Sequence, residues 1–429
     1  MNEKKLPVSD AKMEEIARTF GTPFHLYDEK GIVDGVKRLE AAFSWCRHFR
    51  EYFAVKATPN PWIMKLLKDL GVGADCSSMA ELVLSDAVGL SGTDIVFSSN
   101  DTPYCEYKEA MRLGAIVNLD DISHIPFIEA RGPLPEKICF RYNPGPDLGN
   151  RGNGIIGKPE EAKYGMTRQQ LLDAVKWARD QKISYIGIHT MVISCELSMT
   201  GLLGTVSMMF DLAREIKEKL GVTVSFIDFG GGIGLAYRPE ETPVDFAELG
   251  RGVKALYDEK MGDFPDTQLS FECGRIVTGP YGFLVTRAIH YKHIYRNYIG
   301  TDACMADLMR PGMYGAYHHI TVVGKENVPA TEVYDVTGSL CENNDKFAVQ
   351  RKLPPIDVGD LLVIHDTGAH GHSMGFNYNG KLRHQELLLH EDGTVTQIRR
   401  NETLSDLFAT LDFPGLAEKT KEAEEAEKK

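Results

Sequence analysis

Several features are missing from this 429-residue chain, and each absence narrows what it can do. No run of about 18 uninterrupted apolar residues occurs, so no segment reads as a membrane span. The first fifteen residues, MNEKKLPVSDAKMEE, lack the apolar stretch of a secretory signal, which sets a cytoplasmic location as the expectation. There is no basic run and the formal charge is −13, which argues against nucleic acid or an anionic membrane surface as a partner. The eight cysteines (46, 76, 105, 139, 195, 273, 304, 341) contain no Cys-x-x-Cys pair. Neither a disulfide frame nor a metal site is therefore expected. Seven of them read as reduced packing thiols, with Cys341 set apart.

What is present is length and rhythm. A chain this long accommodates two domains, one of which can be a barrel of about 250 residues. After an extended segment at 23–27 and a helix at 30–43, β-prone runs recur at 52–57, 72–76, 95–99, 116–119, 138–142, 185–190, 224–229 and 269–273. Helical periodicity fills most of the gaps. Ser78-Met-Ala-Glu81 is a capping-box pattern before a helix at 80–88, and a helix at 205–220 stops at Gly221. Eight β/α units predict a TIM-type (β/α)8 barrel over 30–280. Past Arg275 the runs 283–290, 320–323, 331–337, 361–366 and 386–398, the last turning at Asp392-Gly393, alternate without long helices. This predicts an all-β domain, a sandwich or small barrel, made of 1–29 and 281–416. Residues 417–429 form a Lys/Glu-rich tail, and no finer internal repeat is visible.

In such a barrel the strand ends and following loops line one face, so polar residues there are candidates for function. Strand one ends at Lys56, strand two at Asp75 and strand six at His189. Strand seven runs into Gly230-Gly231-Gly232, and strand eight into Glu272-Cys-Gly274-Arg275. A lysine buried in an apolar strand loses charge to desolvation and as a free amine forms an imine with a carbonyl. The same lysine can instead snorkel or pair with Asp75 or Glu272. The glycines either let backbone N–H groups approach a phosphate or simply make a tight turn, and Gly274-Arg275 can serve the same anion. Glu272 either faces a pyridine nitrogen, keeping the ring an electron sink, or forms an ordinary salt bridge.

Six motifs in order, Phe53-Ala-Val-Lys56-Ala, Gly230-Gly-Gly232, Phe271-Glu272-Cys-Gly274-Arg275, Met309-Arg310-Pro-Gly-Met-Tyr314-Gly-Ala-Tyr317-His318, Cys341-Glu342-Asn-Asn-Asp345 and Asp366-Thr-Gly-Ala-His370 through Asn377-Tyr378-Asn379, resemble the fold-type III pyridoxal-phosphate decarboxylases. The likeness spans about Phe24 to Leu389 and is strongest to the diaminopimelate decarboxylases. It implies that pyridoxal 5'-phosphate is joined to Lys56 and that Glu272 pairs with the ring nitrogen. Gly231, Gly232, Gly274 and Arg275 would hold the phosphate, with Asp75, His189, Ser194, His370 and Tyr378 completing the cofactor set. Arg275, Arg310, Tyr314, Glu342 and Asp345 would contact substrate, and Cys341 would return a proton to the α-carbon. The Cys-Glu loop reaching a partner's barrel implies a homodimer with shared sites.

Three departures bear on substrate. Gly187-Ile-His189-Thr-Met191-Val-Ile-Ser194 stands where the family reads Gly-Leu-His-Cys-His-Ile-Gly-Ser, so Met191 replaces the histidine that stacks on the ring. A thioether still contacts an aromatic face but moves no proton. His370 stands where the family places a tyrosine, and Gly73-Ala-Asp75-Cys-Ser-Ser is closer to the ornithine decarboxylase branch. The leading expectation is decarboxylation of meso-diaminopimelate to L-lysine. D- or L-ornithine or lysine is the alternative substrate, and a non-catalytic binding homologue the alternative class. A racemase would be expected to present a tyrosine where this chain has Cys341.

Overall fold

The computed structural model describes residues 3–148 and 158–427. The chain divides into two units, Ile32–Ala236 with Glu241–Val277, and Met1–Gly31 and Tyr237–Glu240 with Thr278–Lys429. A short excursion at Tyr237–Glu240 thus belongs with the second unit, as does the charged C-terminal segment, which forms the helix Leu416–Glu427. The Gly- and Asn-rich loop 145–163, which the sequence offers equally as a lid over a site or as a plain surface excursion, lies in part outside the described residues, since 149–157 are not among them.

The first unit is a closed eight-stranded parallel barrel of TIM type. Its strands are Phe49–Ala54, Gly73–Cys76, Ile95–Ser98, Ile116–Leu119, Lys137–Tyr142, Tyr185–Thr190, Phe226–Asp228 and Gln268–Phe271, the last closing on the first through Phe49 beside Leu269. The wall is filled by Tyr52, Val96, Ile116, Cys139 and Phe226, all fully buried. Tyr52 and Phe226 meet edge to face at 6.0 Å. Gly73 makes the first ring possible, because a Cβ there would stand 2.5 Å from the Tyr52 ring. Burying each such ring is worth about 1.5–3 kcal/mol.

The helices start where side chains cap them. Met79–Ala87 opens on Ser78, whose hydroxyl accepts from the Glu81 N–H at 3.4 Å. Glu81 does not close the expected reciprocal box; its carboxylate reaches one residue further back, to the Ser77 N–H at 2.6 Å. Met199–Leu220 begins six residues before the apolar pattern suggests, because Ser198 caps Gly201, and it ends on left-handed Gly221.

The second unit holds a nine-stranded mixed sheet. Along it run Lys346–Leu353, Glu332–Thr337, Asn297–Thr301, Gly282–His293, Phe24–Asp28, Gln385–Leu389 and Val395–Arg399, with Leu361–Ile364 pairing both Gly282–His293 and Ile320–Val322. The extended N-terminal segment is thus an interior strand, antiparallel to one neighbour and parallel to the other. An unanticipated helix, Asp10–Phe20, is capped by Ser9 and buries Met13, Ile16 and Ala17 with Phe24, Leu26, Phe283 and Leu387.

Four cysteines (76, 139, 273, 304) are buried thiols as expected, and all eight are free. Cys105 departs from the packing reading: helix Tyr104–Arg112 turns Tyr107 and Ala110 inward, which leaves Cys105 exposed. Among the described residues no helix is long and apolar enough to cross a membrane.

Candidate active site

Polar side chains gather at the ends of the barrel strands. The first strand stops at Ala54, and Val55–Ala57 is a 3-10 turn, so Lys56 is lifted out of the wall. Its side chain is 57% exposed, with Nζ 3.8 Å from Asp75 Oδ2 on the neighbouring strand. Lys56 is therefore not a buried strand residue as the pattern suggests, because the strand ends two residues before it. Asp75 is the buried partner. Burial and the charge of Glu272 push its carboxyl well up while Lys56 opposes them, and Asp75 Oδ1 has no hydrogen-bond partner.

Glu272, directly after the eighth strand, is buried rather than a surface ion-pair partner. Its Oε2 lies 3.0 Å from His189 Nε2, and its Oε1 is 3.5 Å from the Ser98 hydroxyl. Asn118 Nδ2 bonds both Ser98 Oγ (2.8 Å) and His189 Nδ1 (3.0 Å). Burial opposes ionisation of Glu272, but His189 and Asp228 hold its pKa at about 2. Burial and the neighbouring Glu272 push Asp228 well up, and burial lowers His189. Of the two carboxyls, Glu272 is the anion and Asp228 the neutral acid. The facing atoms of His189, Asp228 and Glu272 lie within 4.8 Å of one another, a spacing that could also take a cation.

Asp228 accepts from the Gly230 N–H at 2.8 Å and so starts the glycine turn. Gly230 and Gly232 have φ of +71° and +102°. A Cβ at 230, 231 or 232 would stand 2.1, 2.6 or 2.5 Å from the carbonyl oxygens of Thr190, Glu272 and Ile193. Only glycine fits, and the turn presents bare backbone. Met191 packs on it, its sulfur 3.2 Å from where a Gly230 Cβ would lie. Ser194 follows in the same segment, partly buried. Gly274 lets the start of helix Arg275–Thr278 approach the Lys56 turn, since a Cβ there would meet Ala57 at 2.6 Å.

In the other unit Arg310 is buried; its Nη1 donates to Tyr237 Oη (2.8 Å) and to His318 Nε2 (3.0 Å). His318 Nδ1 donates to the His365 carbonyl at 2.9 Å, which leaves Nε2 to accept. Tyr314 and Tyr378 are exposed, and His370 is half-buried with φ +58°. Cys341 and Glu342 are exposed on a loop where the Cys341 N–H donates to Asn379 Oδ1 at 2.7 Å. Asp345 differs from its expected place on a substrate. It is buried, and its two oxygens accept from the Met305 and Leu340 N–H groups at 2.6 and 2.7 Å, so it braces the Cys341 loop.

Sequence reasoning passes over Asn118 and Tyr237, and it places His318 and Asn379 within motifs without giving either a role. Asn118, a lone amide in the apolar run Ile116–Leu119, was the available signal. Ser98 and Asp228 end the third and seventh strands, where functional side chains are expected, and the sequence assigns them no part.

The barrel's donor set fits pyridoxal phosphate: a bare glycine turn for a phosphate, a buried anion for a pyridinium, and a lysine amine held beside a carboxyl. Residues 30–279 match the family model "Pyridoxal-dependent decarboxylase, pyridoxal binding domain". The chain is 41% identical to Protein TabA of Pseudomonas amygdali pv. tabaci over 92% of each chain. It is 34% identical to the diaminopimelate decarboxylase of Methanothermobacter thermautotrophicus, covering 96% of this chain and 97% of that one. The diaminopimelate decarboxylase crystal structure from Helicobacter pylori, complexed with L-lysine, superposes with a TM-score of 0.83 at 29% identity, over 92% of this chain and 98% of that one. That from M. jannaschi gives 0.85 at 29%, over 93% and 94%. With the barrel, the glycine turn and the Lys56–Asp75 and His189–Glu272 pairs in place, these likenesses make the chain a member of the pyridoxal-phosphate-dependent amino-acid decarboxylases.

Proposed function

We propose that this decarboxylase converts meso-diaminopimelate to L-lysine in the cytoplasm, as a homodimer with shared sites. The observation that carries the reaction is the buried, ionised Glu272 at the barrel end that also bears Lys56 and the glycine turn. Lys56 would be the attachment point for pyridoxal phosphate, Asp75 would steady its amine, and Glu272, held by His189, would pair with the ring nitrogen. Gly231, Gly232, Gly274, Arg275 and Ser194 would hold the phosphate, and His370 and Tyr378 are proposed as further cofactor-binding residues. When bound, the cofactor takes up the electron pair that departing CO₂ leaves on the α-carbon. Cys341 Sγ delivers the proton to that carbon. Arg275, Arg310 and Tyr314 bind substrate carboxylate, and Glu342 binds the distal ammonium.

Support for diaminopimelate comes from relatives of that name matched over nearly their whole length and from the buried cation Arg310. A second reading, a basic amino acid with one carboxylate, is favoured by Met191 on the glycine turn and by His370, two positions at which this chain departs from the family. The test is CO₂ release by the purified protein with added pyridoxal phosphate, comparing meso-diaminopimelate with D- and L-lysine and D- and L-ornithine. A site built for a second carboxylate rejects analogues lacking it by a large factor, about 10⁴ or more, because its buried cation loses a partner. Equal or better turnover of a monocarboxylate overturns the diaminopimelate reading.

A further inference from the structure

Inside the barrel a closed hydrogen-bond circuit surrounds Glu272. Asn118 is buried, and its Nδ2 is 2.8 Å from Ser98 Oγ and 3.0 Å from His189 Nδ1. An amide nitrogen only donates, so one N–H goes to each neighbour and His189 Nδ1 must accept. An imidazole accepting at Nδ1 and remaining neutral carries its proton on Nε2, the atom 3.0 Å from Glu272 Oε2. Ser98, with a lone pair taken by Asn118, turns its hydroxyl hydrogen to Glu272 Oε1 at 3.5 Å. One amide thereby directs a donor to each carboxylate oxygen. The His189 arm is the stronger, since 3.5 Å is long for a hydroxyl donor.

The circuit carries a cost that packing alone does not explain. Asn118 Oδ1 is buried without a partner, in a strand whose other members, Ile116, Val117 and Leu119, are apolar. A branched apolar residue of similar size would fill the same wall with no orphaned oxygen. What it could not do is set the imidazole tautomer. Burial lowers the proton affinity of His189, in keeping with the neutral form.

We propose that Asn118 is a positioning residue: it fixes His189 as the neutral Nε2–H tautomer and so holds Glu272, as a carboxylate in one orientation, for the ring nitrogen of the cofactor. The inference rests on the reading of Glu272 as the ring-nitrogen partner. Asn118 touches neither reactant; it acts through His189 and Ser98.

The test is ¹⁵N NMR of the histidine-labelled holoenzyme, with the His189 signals assigned by their loss in His189→Gln. The expected result is an unprotonated Nδ1 and a protonated Nε2, unchanged from about pH 6 to pH 8. A protonated Nδ1 overturns the proposal, and this measurement on the unaltered protein decides the matter even where a variant fails to fold. Asn118→Asp sets an acceptor against Nδ1 and is expected to convert His189 to the imidazolium. Asn118→Ala frees the tautomer, and loss of the directed His189 bond to the charged Glu272 lowers kcat/KM by about 10- to 100-fold. A His189 spectrum unmoved in both variants also overturns the proposal. The expected tautomer without decarboxylation of any amino acid would instead sink the functional reading, so the two failures are distinguishable.

Discussion

Two glycines with nearly the same backbone angle give a sharp test of how the site is built. Gly221 ends helix Met199–Leu220 at φ +66°, and Gly230 opens the cofactor turn at φ +71°. A left-handed conformation costs a non-glycine residue about 1–2 kcal/mol, so that term is common to alanine at either position. Space separates them. A Cβ at 221 meets nothing within 4 Å, whereas one at 230 would stand 2.1 Å from the carbonyl oxygen of Thr190. Thr190 is the last residue of a barrel strand paired to Tyr142, so it cannot retreat without disturbing the sheet. Overpacking of this kind adds about 1–3 kcal/mol. Gly221→Ala should therefore cost about 1–2 kcal/mol and Gly230→Ala about 2–5 kcal/mol. Urea unfolding of the two variants measures the difference, and titration with pyridoxal phosphate shows whether the displaced turn still binds. Gly221→Ala should bind the cofactor as the parent does, and Gly230→Ala more weakly. Equal unfolding midpoints together with parental cofactor binding in Gly230→Ala would refute the close packing of the turn.

Further outcomes follow from the same geometry. Cys341→Ala should slow turnover with the cofactor still bound, as seen by absorbance and CO₂ release; unchanged turnover removes the thiol from the scheme. Asp345→Ala should lower stability and turnover together, because it frees the Met305 and Leu340 N–H groups that brace the Cys341 loop; a change in KM alone would point instead to substrate contact. The buried histidines should cost stability in mild acid. Burial lowers the pKa of His319 to about 4 and of His365 and His372 to about 3. The unfolded chain protonates them near about 6.5. Between those values the unfolded state binds more protons at these residues, so their contribution is full above about pH 6.5 and drops as pH falls, by up to about 1.4 kcal/mol per pH unit for each histidine. The raised carboxyls of Asp75 and Asp228 act in the opposite sense, so the histidine share is read by comparison. The change in urea midpoint from about pH 7 to pH 5 should be less destabilising in His365→Phe than in the parent, and an equal change contradicts this.

The barrel was legible because its strands are short, apolar and separated by helical periodicity, so that Ile116–Leu119 and Tyr185–Thr190 fall where the pattern puts them. Lys56 was misplaced because Ala54, Val55 and Ala57 are as apolar as strand residues, and nothing in the pattern marks the 3-10 turn that exposes it. In the second unit Asn297–Thr301 and Lys346–Leu353 escaped notice: their inward residues are few and interrupted by polar ones, so neither shows the alternation that marks a strand. Strand-end polarity and motif order pointed to Glu272 and the glycine turn. The circuit through Asn118 was not legible, since which polar residues face one another across a closed barrel depends on register, and register is a property of the fold.

We propose Lys56, in the turn that follows the first barrel strand, as the residue that carries pyridoxal phosphate. Borohydride reduction of the holoenzyme followed by proteolysis and mass spectrometry measures this directly. The expected result is the reduced cofactor's mass on the peptide containing Lys56 and its absence from that peptide in Lys56→Ala, with nearly all turnover lost. Cofactor on any other lysine, or full activity in Lys56→Ala, would contradict it.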